Sequence, residues 1–528
     1  MKQELKEIIS RSLTKIYPAL KEMPDFTIDY PQEKFGDFST NIALILEKRT
    51  GERPETIANK IIGEIGDKEI FESVTVAKPG FINFKIALPY FQKKISEIIQ
   101  AGKNYGQSDL GKDLKVNIEF ISANPTGPLT LGNGRGGYDG DVLANVFKAY
   151  GAEVERDYYI NDIGGQIIVL GHSVLKDQEA KYQGPYIEEL TKKIKSKNPQ
   201  EAGQEAAAIL MEESIKKTIA KMGIKFNHWF SEKELVDQGL VSEMTGRLTK
   251  LGFTYEKDGA IFLRTSKFGD DKDRVLVTSE GEQTYFSSDI AYHLGKIQRG
   301  YGLLIDFWGA DHHGYIKRMQ AAIEVLRKQE NWQGELKILI SQLVRLVSKG
   351  KEFKMSKRTG TYITLDELIE EVGLDVTRFF FLERALNTHL DFDLDLAKER
   401  SQMNPVYYVQ YAFARIHSIL AKCKMQNANL KMTNQNFKLL THPAEIKLIK
   451  QLVRLPDLIL EIVADFQVQK LPAYSIELAR AFHNFYEQCP VLQAENDLKN
   501  ARLDLVRATQ IVLKNTLDLM GISAPEKM

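Results

Sequence analysis

Apolar positions along the chain recur with two different periods, and the changes of period mark its organisation. Leu5, Ile8, Ile9, Leu13 and Ile16 fall on one face of a helix, and Asn41 to Lys48 carries a second helical stretch. Val74, Val76, Phe81, Ile82 and Phe84 around Pro79-Gly80 then read as two strands and a turn. From about residue 109 strands and helices alternate, which predicts a parallel, doubly wound sheet. Val116 to Ile121 alternates as a short strand, and Ser122-Ala-Asn-Pro-Thr-Gly-Pro breaks it. After Gly132, Gly134, Gly136 and Gly137, the residues Val142, Val146 and Tyr150 return at helical spacing. Tyr158 to Gln166 reads as the end and turn of a second strand. The stretch from about 170 to 235 is helical and lysine-rich, as a solvated helix face usually is. The sheet is expected to resume in Ala260 to Val277, and Leu303 to Gly309 reads as a buried strand. Thr364 to Leu382 is predicted helical, and beyond about residue 398 the pattern is almost all helix, interrupted at Pro456.

A chain of 528 residues suggests roughly three domains at about 100 to 200 residues each. Lys plus Arg and Asp plus Glu both total 71, so overall charge announces no nucleic acid, and any such contact must come from local basic patches. The cysteines, Cys423 and Cys489, form no Cys-x-x-Cys and no ligand cluster, so neither zinc nor a disulfide framework is expected. The first residues lack an apolar secretory core, and no run of about 18 apolar residues occurs; no membrane partner is expected and a reducing cytoplasm is the default location.

Two stretches carry chemistry. The glycines before the helix that carries Val142, Val146 and Tyr150 would let an anion approach unpaired backbone N–H groups, and a nucleotide phosphate is the natural guest. Phe353-Lys-Met-Ser-Lys-Arg-Thr-Gly360 is a compact cationic loop of the type that closes over a polyphosphate. Tyr285 and Asp289, four apart, share a helix face and can reach one ligand. Asp311-His312-His313 invites a metal, but no third ligand lies at helical spacing. Asp391, Asp393 and Asp395 do not make a calcium loop, because Leu396 and Gln402 stand where glycine and glutamate are needed. The aromatic stripe of Tyr407, Tyr408, Tyr411 and Phe413 is more often core than a base-stacking platform.

The glycine-rich stretch and the cationic loop together resemble the paired motifs of class I aminoacyl-tRNA synthetases, and their surroundings resemble arginyl-tRNA synthetases. Further matches are Gly36-Asp-Phe38, Pro79-Gly-Phe-Ile-Asn-Phe84, Tyr159-Ile-Asn-Asp162, Gly309-Ala-Asp-His-His-Gly314 and Asn404-Pro-Val-Tyr-Tyr-Val-Gln-Tyr411. The second motif is intact as Lys354-Met-Ser-Lys357, whereas Thr130 and Asn133 replace the two histidines usual in the first. The resemblance implies a small α+β tRNA-binding domain over 1–108, which touches the tRNA elbow. It implies a Rossmann-like doubly wound catalytic domain over 109–385 with a helical insertion at about 170–275, and an all-α anticodon-binding bundle over 386–528. The implied reaction activates L-arginine with ATP and Mg²⁺ to arginyl-adenylate, then transfers arginine to the 3′-terminal ribose of tRNA(Arg). A monomer with no tightly bound metal is expected.

By the same resemblance, ATP is held by Gly127, Pro128, Thr130, Gly132, Asn133, Asp311, Met355, Ser356 and Lys357. Arginine is held by Glu119, Ser122, Asn124, Tyr285, Asp289 and Asp311, and tRNA by Tyr408, Tyr411 and Arg415. A guanidinium is planar, permanently charged and rich in donors, and Glu119, Tyr285 and Asp289 have the chemistry to surround it. Lys354 and Lys357 would stabilise the leaving pyrophosphate. Thr130 and Asn133 can donate hydrogen bonds but carry no charge, and Arg135, one turn on, is expected to compensate. Rival readings are a catalytically inactive tRNA- or arginine-binding protein, a class I synthetase for another amino acid, and an unrelated nucleotide-binding protein.

Overall fold

A computed structural model describes residues 1–20, 22–66, 69–352, 364–426 and 436–528, the side chains of 424–426 excepted. Near the start, helix Lys2–Ile16 buries Leu5, Ile8, Ile9 and Leu13. It accompanies a four-stranded antiparallel sheet ordered Ile28–Asp29, Phe38–Thr40, Phe81–Ile86, Phe71–Ala77. Asp37 joins this unit to the helices near the other end of the chain: one carboxylate oxygen accepts from the Ile86 N–H at 2.8 Å and the other meets Lys450 Nζ at 2.6 Å.

The central sheet has five parallel strands: β1 Lys115–Glu119, β2 Glu153–Ile160, β3 His228–Ser231, β4 Leu303–Gly309 and β5 Glu335–Ser341. Their spatial order is β5-β4-β1-β2-β3. The order reverses beside β1, and in doubly wound sheets that reversal leaves a crevice at the carboxyl ends of the strands, here β1 and β4. Val116, Ile118, Leu304 and Ile305 are fully buried, as strands covered on both faces require.

Helix α1, Leu131–Tyr150, follows β1, and α2, Tyr285–Gln298, precedes β4. The glycines expected in a loop before α1 lie inside its first turns. A Cβ on Gly134 or Gly137 would come within 2.8 Å of Leu365 or Met222, and one on Gly140 would collide with Phe120. These glycines therefore let the helix lie close against the sheet and its neighbours.

Between β2 and α2 the helices Gly165–Leu175, Pro185–Lys193 and Pro199–Leu210 build a core of their own. The expectation that the parallel sheet resumes over 260–277 is corrected: Thr254–Lys257, Ala260–Leu263 and Arg274–Val277 form a separate antiparallel sheet. Asp258 and Gly259, at φ 52° and 77°, supply the two left-handed residues of a tight hairpin, so these strands pair with their neighbours in sequence. The parallel sheet continues instead in β3 and β4.

The last third is helical as expected: Pro405–Gln426, Pro443–Leu452, Leu455–Asp465, Lys470–Gln488 and Asn496–Met520. Arg378 is wholly buried where these helices meet the sheet. It donates to the Met222 carbonyl at 2.8 Å, to the Met520 carbonyl at 2.9 Å and to the Asp141 carboxylate on α1.

Candidate active site

At the carboxyl ends of β1 and β4 opens a cleft of about 670 Å³. It brings together Glu119, Ser122, Asn124, Gly127, Pro128, Asn133, Tyr285, Asp289 and Asp311, which the sequence places in three separate stretches. Thr130 and Gly132 stand beside the cleft without lining it. Lys354, Met355, Ser356 and Lys357 lie outside the described residues.

The turn after β1 is strained: Ile121 and Ser122 adopt left-handed φ values of 67° and 33°. Hydrogen bonds hold it there. Ser122 Oγ donates to Glu119 Oε1 and accepts the Tyr159 N–H, both at 3.0 Å, and the Tyr158 hydroxyl donates to the Ala123 carbonyl. Asn161 Nδ2 donates to Asn124 Oδ1 at 2.7 Å, and Asn124 Nδ2 donates to Gln166 Oε1 at 2.8 Å, so the Tyr159–Asp162 motif orients the first motif's asparagine.

Helix α2 supplies the opposite wall. Tyr285, on its first turn, is 51% exposed and stands at the rim, whereas Asp289, one turn deeper, accepts a 2.7 Å hydrogen bond from the Tyr315 hydroxyl. Burial pushes the Asp289 carboxyl up to about 7, although the Tyr315 hydrogen bond opposes the shift. The same stripe of α2 carries His293 and Lys296. His293 has a carbonyl 2.7 Å from Nδ1 and the Asp306 carboxylate 2.8 Å from Nε2. Two acceptors call for two N–H groups, and although burial opposes the charge, Asp306 prevails and raises the His293 pKa. Lys296 Nζ donates to Glu119 Oε2 at 2.6 Å and to Asp306 Oδ1 at 2.9 Å. Asp306, whose burial opposes ionisation, is nevertheless held well below the usual carboxylate range by Lys296 and His293. Glu119 and Asp306 thus have ion-pair partners, whereas Asp289 has none among the described residues, His293 meeting only its carbonyl. The cleft therefore suits a cationic guest.

The start of α1 forms the third wall. The Thr130 N–H and hydroxyl both donate to Asn133 Oδ1, each at 2.9 Å. With its oxygen so used, the Asn133 side chain keeps its NH₂ as a donor at the cleft, on the first turn of the helix. The chain returns to this point directly after residue 363: Leu365 N–H donates to the Leu129 carbonyl at 3.0 Å, and Thr364 bridges Thr130. Arg135 does not compensate for the missing histidines. Its buried guanidinium is committed to the carbonyls of Gln342, Ala385 and Thr388.

A family model described as arginyl tRNA synthetase N terminal domain matches residues 3–86, and one described as DALR anticodon binding domain matches 409–528. Arginine–tRNA ligases of Carboxydothermus hydrogenoformans and Listeria monocytogenes are 43% and 44% identical to this chain, over 95% and 96% of its length and 94% and 95% of theirs. The chain belongs to the arginyl-tRNA synthetase family. An Aquifex aeolicus relative is 39% identical over the whole of both chains. The fold is shared with arginyl-tRNA synthetase structures from Thermus thermophilus, with a TM-score of 0.80, 21% identity and full coverage of both chains, and Plasmodium falciparum, with a TM-score of 0.77, 20% identity and coverage of 100% of this chain and 99% of that one.

In this arginyl-tRNA synthetase chain the residues that sequence reasoning missed are His293, Lys296, Asp306 and Tyr315. A signal existed for two of them, since Asp289, His293 and Lys296 continue the Tyr285–Asp289 stripe at helical spacing. Glu155, Asp157 and His228 bring ligand atoms within 4.8 Å of one another, but Arg299 already lies 2.6 Å from Asp157 and 3.6 Å from Glu155. On the helical side, Tyr411 lies parallel to Tyr407, their planes 7° apart. The Arg415 guanidinium stands 5.0 Å from the rings of Tyr411 and Tyr486, while Tyr408 packs near His483. No helix among the described residues is long and apolar enough to cross a membrane.

Proposed function

We propose that this chain joins arginine to its tRNA in two steps on this cleft. An oxygen of the arginine carboxylate attacks the α-phosphorus of ATP, forming the acyl-phosphate bond of arginyl-adenylate as pyrophosphate leaves. The 3′-terminal ribose hydroxyl of tRNA(Arg) then attacks the arginyl carbonyl, forming the ester as AMP leaves. No protein nucleophile is needed, so catalysis consists of placing reactants and stabilising charge.

The observation that carries this reading is Asp289, a carboxylate that lines the cleft and has no ion-pair partner among the described residues. Asp289 holds the guanidinium, with the Tyr285 hydroxyl closing from the rim and Glu119 facing it. Ser122 and Asn124 set the strained turn that carries the α-amino and carboxylate end, and Asp311 stands at the mouth between amino acid and ribose. Gly127, Pro128, Thr130, Gly132 and Asn133 form the phosphate side. There Thr130 acts through Asn133, whose NH₂ donates. Lys354 and Lys357 supply positive charge, with Met355 and Ser356 beside ATP; the anchoring of Thr364 and Leu365 at the start of α1 supports that placement. Mg²⁺ arrives with the ATP phosphates.

The same reading divides the chain into a tRNA-elbow domain over 1–108, a catalytic domain over 109–385 with its insertion at about 170–275, and an anticodon domain over 386–528. The last uses Tyr408, Tyr411 and Arg415. It describes a monomer of the cytoplasm. Exchange of labelled pyrophosphate into ATP, with tRNA present, tests activation: arginine should drive exchange and citrulline, its uncharged isostere, should not. Equal exchange with both would refute the role of Asp289.

A further inference from the structure

Lysine is rarely buried without a task, yet Lys296 is wholly buried about three turns into α2. Its ammonium reaches the carboxyl edge of the central sheet, where Glu119 of β1 and Asp306 of β4 are neighbours in register. It donates to both, at 2.6 and 2.9 Å, and lies 4.4 Å from the centre of the Tyr292 ring. Asp306 is buried behind the cleft and takes His293 on its other oxygen, whereas Glu119 lines the cleft. The chain of contacts His293, Asp306, Lys296, Glu119 therefore has a cleft-lining residue at each end and two buried groups, Asp306 and Lys296, between them. With Ser122 on Oε1 and Lys296 on Oε2, both oxygens of Glu119 are held, and each retains a lone pair for a further donor.

We propose that Lys296 is a positioning residue for arginine recognition: it fixes the plane of the Glu119 carboxylate across the cleft from Asp289. Two carboxylates with set orientations fit a planar cation that carries donors on two edges, and a guanidinium meets that demand better than a compact ammonium. This role rests on the assignment of the cleft to arginine.

Titration calorimetry of the full chain with arginine, and separately with ATP, tests it in Lys296→Met, Glu119→Ala and the double variant. Lys296→Met should weaken arginine binding at least about tenfold and leave ATP binding within about twofold. Because Lys296 acts through Glu119, adding Lys296→Met to Glu119→Ala should cost less than about threefold more. Arginine binding within twofold of the native value overturns the proposal. So does an equal loss for arginine and ATP, which marks a general structural role, and so do effects that multiply in the double variant. If Lys296→Met alone does not fold, the comparison of Glu119→Ala with Glu119→Ala/Lys296→Met decides, since that pair leaves fewer buried charges uncompensated. A native chain that binds no arginine overturns the cleft assignment, and this role with it. A native chain that binds arginine while the variants match it overturns the role alone.

Discussion

The proposed pairing of Asp289 with the guanidinium should make arginine affinity depend on pH. Burial pushes the Asp289 carboxyl up to about 7, against which the Tyr315 hydrogen bond and His293 work and with which Glu119 and Asp306 work. A guanidinium pairs with the ionised form, so the apparent dissociation constant is the intrinsic one divided by the ionised fraction. That fraction is about nine-tenths at pH 8 and about one-tenth at pH 6, so affinity should weaken roughly tenfold between them. Binding should release nearly one proton at pH 6 and almost none at pH 8. Calorimetry in two buffers of different ionisation enthalpy reads both quantities. Asp289→Asn keeps the shape but removes the charge; losing one partner of a buried, hydrogen-bonded pair costs on the order of 2–5 kcal/mol, a loss of roughly thirtyfold to several thousandfold. The pH slope should flatten with it. Glu383, which burial raises to about 7 although Arg384 opposes the shift, is a control outside the cleft, because Glu383→Gln should keep the slope. An Asp289→Asn protein that binds arginine within threefold of the native chain, or keeps the native slope, would refute the reasoning.

Other predictions follow from single groups. Asp139 is buried on α1 and raised by that burial to about 8, so the folded chain holds a proton that the unfolded chain releases above about pH 4. Stability should therefore fall as pH rises from about 4 to 8, by roughly 6 kcal/mol at most. Asp139→Asn should abolish this fall, raising the melting temperature at pH 8 much more than at pH 5. Asn133→Ala should lower the rate of pyrophosphate exchange on the order of 10²-fold, as removal of one placed donor does. Thr130→Val, which loses only the hydroxyl that orients Asn133, should cost less in the same assay. Lys357→Ala should depress exchange while arginine binding by calorimetry stays near native; unchanged exchange would remove Lys357 from the mechanism.

Local patterns read well from the chain because their partners are near in sequence. The Tyr285–Asp289 face and the turn after β1 are of this kind. The Lys296–Glu119 pair spans 177 positions and exists because β1 and β4 lie side by side, a fact of register that spacing does not carry. Arg135 is instructive in the same way: its place two residues after Asn133 suggests a phosphate ligand, yet the residue turns inward to three carbonyls from distant segments. Gly132, Gly134, Gly136 and Gly137 look like a phosphate cradle in sequence because composition does not reveal that helix α1 starts at Leu131, before all of them. The strands over 254–277 have the apolar and β-branched residues of sheet strands, and only their Asp258-Gly259 turn distinguishes a local hairpin from a continuation of the parallel sheet.

The central claim is that this cleft charges tRNA with arginine despite Thr130 and Asn133 in the histidine positions. Incorporation of labelled arginine into total tRNA, with ATP and Mg²⁺ and with ATP omitted as the control, tests it most directly. ATP-dependent charging is the predicted result. A well-folded chain that binds arginine and tRNA but charges none would contradict the claim and make the protein a binding one built on a synthetase fold.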